Sequence, residues 1–208
     1  MEGLFITFEG IEGAGKTTQA KLLHQFLLER GKKSYLTREP GGTKTGKKIR
    51  EILLSHTDEI FPSKAELFLY EADRNLHVNN VIKPLKQQGY YVICDRFIDS
   101  TLAYQGYARG IDIELIKFLN KIATENISPD ITFLIDIPVE VSLSRMGDKK
   151  DRIESEDLEF HRKLREGFLK IAEEEQDRIY ILDGTKPVND IFKEILEILK
   201  EKNILESV

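Results

Sequence analysis

The sequence predicts an α/β fold, a parallel sheet of five strands covered by helices on both faces. Three observations carry that reading. Short apolar runs, Leu4–Glu9, Ser34–Arg38, Tyr91–Asp95, Ile131–Asp136 and Ile179–Asp183, have the length and near-continuous hydrophobicity of strands buried on both faces. Longer segments with helical spacing separate them, so strand and helix alternate throughout. Each run also ends in a charged residue. Sheets of this kind bind ligands beyond the carboxyl ends of their strands, which marks Glu9, Arg38, Asp95 and Asp136.

In chain order, the first run leads into a glycine-rich turn and then a helix whose stripe of Ala20, Leu23, Phe26 and Leu27 stops at Gly31. The second run passes into Arg38-Glu39-Pro40-Gly41-Gly42-Thr43, whose Pro-Gly-Gly makes a turn. A helix-like ELFLYEADR follows, carrying Phe68 and Arg74. At 100° per residue these two stand ~600° apart, so they do not share a face and would flank a pocket from its wall and its end. The third run holds the single cysteine, Cys94, in the apolar YYVIC, which excludes an internal disulfide and predicts a buried structural thiol. After it come Asp95-Arg96-Phe97, Ser100 and Ala103-Tyr104-Gln105-Gly106. Two later stripes, Leu115, Ile116, Leu119, Ile122 and Ile191, Ile195, Leu196, Leu199, read as helix faces turned to the core. Between them Ser144–Glu159 is polar enough to break the rhythm; its charge alone describes a solvated loop. There is no internal repeat or low-complexity tract, so residues 1–208 read as one domain with a small insertion at about 144–156.

Composition narrows the function classes. A chain of 208 residues with 40% hydrophobic and 32% charged residues is that of a soluble globular protein. A net charge of −5 lacks the basic footprint of a nucleic-acid polymer binder, while small anions need only a local concentration of donors. No run approaches the ~20 apolar residues of a membrane span and no secretory signal is visible, so no membrane role is expected and the cytoplasm is the expected location. The four histidines, His24, His56, His77 and His161, show no metal-ligand spacing and read as surface or structural.

Gly10-Ile11-Glu12-Gly13-Ala14-Gly15-Lys16-Thr17 matches GxxxxGK[ST] in the required strand-loop-helix setting. Glycines let backbone N–H groups turn toward phosphate oxygens, and the helix N-terminus adds its positive partial charge. Lys16 would bridge the β- and γ-phosphates of a nucleotide. Thr17 would place its hydroxyl on Mg²⁺, with Thr18 next in the cradle. A phosphate cradle leaves the class open. No guanine-reading NKxD occurs, since Asn120-Lys121 is followed by Ile122-Ala123, and no LSGGQ-type signature is present. Small-molecule kinases remain.

FEGIEGAGKTTQ, TREPGGT, ELFLYEADR, DRFIDSTLAYQG and DRIE together occur in the order and spacing of the thymidylate kinases, which the sequence closely resembles over essentially its full length. The resemblance implies a P-loop NTPase fold of the nucleoside-monophosphate-kinase type, transfer of the γ-phosphate of ATP to dTMP, an Mg²⁺ requirement and a homodimer. It implies that Arg38 and Arg96 hold the dTMP phosphate, that Phe68 stacks on thymine, and that Arg74 and Gln105 bond the base edge. Tyr104 would crowd the sugar 2′ position and Ser100 add a polar contact near the base. Glu9 would face the dTMP sugar, and Asp95 would act on Mg²⁺ through water. Because Ile11–Ala14 holds no arginine, the resemblance also places an additional basic group for the ATP phosphates in a lid, the polar insertion. Its candidates are Arg145, Lys149, Lys150 and Arg152, with Arg152 first and Arg145 second. Other deoxynucleotide or deoxynucleoside kinases are the alternative within enzymes. A nucleotide-dependent switch without turnover is the alternative outside them.

Overall fold

The computed structural model describes residues 3–147 and 151–205. The apolar runs form strands over the predicted ranges: β1 (Leu4–Glu9), β2 (Ser34–Arg38), β3 (Tyr91–Asp95), β4 (Ile131–Asp136) and β5 (Ile179–Asp183). They make one five-stranded sheet in the order β2-β3-β1-β4-β5, with every pairing parallel. Register places Phe8 beside Asp95 and Arg38 beside Asp95 as well, so the charged ends of β1, β2 and β3 emerge together on one edge.

The connections are α1 (Lys16–Glu29), α2 (Lys44–Leu54), α3 (Ser63–His77), α4 (Lys83–Gln87), α5 (Ile98–Thr101), α6 (Ile113–Ala123), α7 (Val139–Arg145), α8 (Leu158–Glu174) and α9 (Val188–Glu201). Two π-helical stretches interrupt them, Val78–Ile82 after α3 and Leu102–Ala108 after α5. The second carries Tyr104 and Gln105, as such bulges often do for side chains that must be re-aimed at a site. Alternation along β1 divides the core. Ile6 and Phe8 face the larger cluster with Ala20, Leu23, Phe133 and Leu134, while Phe5 joins Val92, Cys94 and Phe97 on the other face. Cys94 is a buried free thiol that donates to Arg96 O at 3.1 Å, and burial pushes its pKa well up.

The polar stretch predicted as one insertion is shorter as a loop. Ser144 and Arg145 finish α7, and Leu158 and Glu159 begin α8, capped by Asp157. Lys149 and Lys150 lie outside the described residues.

Candidate active site

A cavity of about 230 Å³ opens at the carboxyl ends of β1, β2 and β3. One end is the glycine-rich turn. Gly15 adopts φ 99°, a left-handed conformation that favours glycine, and a Cβ there would meet nothing within 4 Å, so it fronts open space. Side chains of Thr43, Asp112 and Asp157 cap α2, α6 and α8. No side chain caps α1, and no acidic residue sits in its first turn. The first-turn N–H groups and the positive helix end therefore remain available to an anion.

Lys16 is buried and donates from Nζ to Ile11 O at 2.6 Å. Burial first, then the charge of Arg96, lowers its pKa to about 8. The Thr17 hydroxyl donates to Asp95 Oδ2. These are two hard oxygen donors of the kind Mg²⁺ takes alongside water and phosphate. No group of three or more His, Cys, Asp or Glu able to hold a metal occurs among the described residues. On the outer side of the cradle, Arg145 donates to Gly13 O at 3.0 Å and to Gly184 O at 3.3 Å. It thereby ties α7 to the turn after β5.

The lining continues with Arg38, Arg50 and Arg96. Arg96 sits at φ 73°, unusual for a side chain with a Cβ, and its guanidinium explains what holds it there. Nη1 donates to Gly10 O at 3.0 Å and to Ser100 Oγ at 3.2 Å, Nη2 donates to Glu12 Oε1 at 3.0 Å, and the group lies 5.1 Å from the Tyr104 ring centre. Burial opposes its charge, but Tyr104, Glu12 and Asp95 more than offset that and raise its pKa. Arg50, near the end of α2, donates to Pro40 O at 3.0 Å. Its pKa is lowered by burial and then by Arg38, with Arg96 adding to the effect. Arg50 thus carries a charge that the neighbouring guanidiniums oppose and that an anion would stabilise.

Beneath the arginine-lined part lies a buried charged network from α3. Arg74 donates from Nε to Glu39 Oε2 at 2.9 Å, from Nη1 to Asn120 Oδ1 at 2.7 Å and Glu71 Oε1 at 3.1 Å, and from Nη2 to Phe97 O at 3.0 Å. His77, fully buried, donates from Nδ1 to Glu39 Oε1 at 2.9 Å and pairs through Nε2 with Thr37 Oγ1 at 2.7 Å. Both oxygens of Asp73 accept from Gly41 N, at 3.1 and 3.2 Å, and burial raises Asp73 to about 6. The Pro-Gly-Gly turn comes so close that a Cβ on Gly42 would lie 2.4 Å from the His77 ring. One helix face therefore clamps the turn that follows Arg38.

Several sequence expectations change here. Phe68 does not line the cavity; it is 59% exposed on the outer side of α3. Tyr70 lines it instead, because four residues before Arg74 it stands only ~40° from Arg74 around the helix, a periodicity that could have identified it. Arg74 reaches the wall with four of its hydrogen bonds committed to the network. Glu12, expected at the ATP phosphates, turns to the arginine end. Its Oε1 accepts from Tyr104 and Arg96, while Oε2 is buried without a partner. Burial would raise its pKa, but Arg96, Lys16 and the Tyr104 bond outweigh that and lower it. Glu9 lies behind the wall, accepting from Phe97 N at 2.7 Å and Ser100 Oγ at 2.6 Å, with its pKa raised to about 7 by burial and then by Asp99. Arg152 is not at the cradle at all; it donates to Leu53 O and Glu66. Arg145, not Arg152, is the described basic residue of this segment that touches the phosphate loop. Tyr104, Gln105 and Ser100 line the cavity as expected. Arg50 and Thr101 were not foreseen. Thr101 lines the wall with a buried hydroxyl that has no partner.

Comparison with known proteins agrees with this geometry. The sequence profile of the thymidylate kinase family matches residues 8–195. The chain is 60% identical to a thymidylate kinase of Sulfurihydrogenibium sp. (strain YO3AOP1), over 98% of this chain and 100% of that protein. It is 49% identical to one of Carboxydothermus hydrogenoformans, over 98% and 100% respectively. The crystal structure of a thymidylate kinase from Ehrlichia chaffeensis superposes with a TM-score of 0.80 at 38% identity, covering 96% of this chain and 99% of that one.

Proposed function

Because the chain belongs to the thymidylate kinase family and is an ATP-dependent dTMP kinase, we propose that the P-loop end of the cavity takes ATP and the arginine-lined end takes dTMP. The observation that carries the division is the convergence of Arg38, Arg50 and Arg96 in the wall of the cavity that also holds Lys16. A hydroxyl acceptor would need a base; three guanidiniums suit a phosphate. Tyr70 supplies the aromatic wall for the base. The free hydroxyl of Thr101, with Gln105 and the remaining capacity of Arg74, forms its polar edge. The unpartnered Oε2 of Glu12 is placed to accept from a sugar hydroxyl, with Tyr104 packed beside it.

The chemistry follows from these charges. The second pKa of a phosphate monoester is about 6, so the attacking oxygen is largely deprotonated at neutral pH without a general base. Two polyanions must be brought together, and positioning with charge neutralisation does that work. Lys16 meets the transferring group from the donor side and Arg96 from the acceptor side. Polyanion binding stabilises the protonated form of Lys16 against its burial. Mg²⁺, when bound, neutralises and orients the donor phosphates, and the Thr17 hydroxyl and Asp95 carboxylate are the residues that would hold it.

The fold also offers a face for a second copy of the chain. Ala65, Phe68, Ala72 and Asn75 on α3 and Leu115, Phe118 and Ile122 on α6 are exposed side by side, with Phe118 at 60% and Ile122 at 58%. Their uncharged stripe suits homodimer formation. Elsewhere in the Leu67–Leu85 region Leu67, Val78 and Ile82 are buried in the core. No helix among the described residues is long and apolar enough to cross a membrane, and phosphorylated nucleotide substrates suit a cytoplasmic enzyme. A coupled assay with ATP-Mg²⁺ and dTMP, dUMP, UMP, AMP or thymidine tests the acceptor. Turnover is expected to be fastest on dTMP; fast turnover on thymidine but not dTMP overturns the reading.

A further inference from the structure

Arg152 makes a set of contacts that fits neither a solvated loop nor an ATP ligand. Its backbone N–H donates to Leu54 O at 3.1 Å and its Nε to Leu53 O at 2.9 Å. These belong to the last turn of α2, whose carbonyls lack helical partners and which has no basic residue of its own. Its Nη2 donates to Glu66 Oε2 at 2.5 Å, and its guanidinium lies 4.4 Å from the Phe61 ring centre. Glu66, itself buried, also accepts from Gln105 Nε2 at 2.8 Å and from Arg109 at 3.3 Å. Arg109 in turn pairs with Glu156 at 2.6 Å.

The segment is therefore fastened at both ends. Arg152 holds one end and Glu156 the other, through two guanidiniums and two carboxylates whose charges balance. Just before Arg152, Asp151 Oδ1 accepts from Ile153 N and Glu154 N at 2.9 Å each, which fixes the turn that presents Ile153 and Glu154 to the cavity wall. Ile153 is buried in the main core cluster.

We propose that Arg152 and Glu66 are positioning residues for the acceptor nucleotide. They form a latch that seats residues 151–157 against α2 and α3 and holds Gln105 in the wall. Removing the Arg152 guanidinium leaves Glu66 buried with fewer donors and frees the α2 terminus beside Leu54, so the wall around the acceptor loosens while the P-loop is untouched. The proposal rests on dTMP being the acceptor, which wild-type saturation by dTMP tests on its own.

The test is steady-state kinetics on the full-length chain. Arg152→Ala is expected to raise KM for dTMP about tenfold, the scale of one charge-assisted hydrogen bond, with KM for ATP and kcat within about twofold. Glu66→Gln is expected to raise it similarly. The double variant should be no worse than the poorer single, because both substitutions open one latch. Arg152→Lys keeps the charge but serves one of the two side-chain acceptors at a time, and should give an intermediate KM. It carries the same test should Arg152→Ala fail to fold. An unchanged KM for dTMP, additive effects in the double variant, or a raised KM for ATP with a fallen kcat would overturn the latch. The last outcome would return Arg152 to the donor side.

Discussion

The phosphate-loop part of the cavity, proposed here for the donor, is made mostly of backbone, and the arginine-lined part, proposed for the acceptor, mostly of side chains. The donor half draws its anion-binding groups from consecutive residues of one turn and the uncapped start of α1. Arg145 and Lys16 donate hydrogen bonds to main-chain carbonyls there. The acceptor half assembles Glu39, Arg74, His77, Arg96 and Glu12 from distant parts of the chain, all bonded to one another or to the backbone. A backbone site has little to lose from one side-chain substitution except the charge that does chemistry. A site made of buried ion pairs is different: each partner removed strands another in a medium that penalises its charge.

The sharpest way to break this contrast is Lys16→Ala. It should lower kcat by roughly 10²–10³-fold, the scale of removing one transition-state donor. The urea midpoint should hold, because the ammonium is already penalised by burial. A large loss of stability would show that the donor half also depends on its side chains. Arg74→Met should do the reverse, costing about 3–5 kcal/mol in urea unfolding by leaving Glu39 and Glu71 buried without their cation. Adding Glu39→Gln should recover part of that loss; no recovery would mean the cost is packing alone.

Two aromatics on one helix sharpen the acceptor side further. Tyr70→Ala should raise KM for dTMP by roughly tenfold, the low end of what base stacking contributes. Phe68→Ala should leave KM unchanged and instead weaken self-association measured by light scattering. Equal effects of the two on KM would reject the assignment of Tyr70. The smallest effect concerns pH. Folded Glu9 keeps its proton up to about pH 7, above its ordinary value of 4.5. Its contribution to stability is therefore full below about pH 4.5 and is lost as pH rises through about 7. Glu9→Gln removes this titration, so the difference in unfolding free energy between wild type and variant should shift against the wild type from pH 4.5 to 8. A difference that stays flat would sink the raised pKa.

Much of the architecture was legible in the sequence. The central strands β1, β3 and β4 are buried on both faces and cannot alternate, so they appear as short apolar blocks, and β1 to β5 all occupy the ranges read from the sequence. The P-loop was legible because its glycines answer a local backbone demand. The assignment of Phe68 failed because α3 inverts the usual rule. Its inward face holds Glu66, Glu71, Asp73, Arg74 and His77, and its outward face holds Phe68 and Ala72. Arg152 was misplaced because a guanidinium near a lid can serve any acceptor within reach, and nothing local says that Glu66 is one. Arg50 and Thr101 carry no motif by themselves; a cavity wall contributed by other elements makes them site residues.

Whatever depends on neighbours in the chain was settled by the sequence alone: strand, turn and helix order, the phosphate cradle, and through its spaced motifs the family. The tertiary structure decided which way α3 faces, which arginines line the cavity, and which carboxylates Gln105 and the segment at 151–157 bond to. The reason is range. Backbone geometry is dictated by the residue and its immediate neighbours, whereas a buried charge is tolerable only beside its partner. Here those partners lie 35 to 86 positions away, as in Arg74 with Glu39 and Arg152 with Glu66.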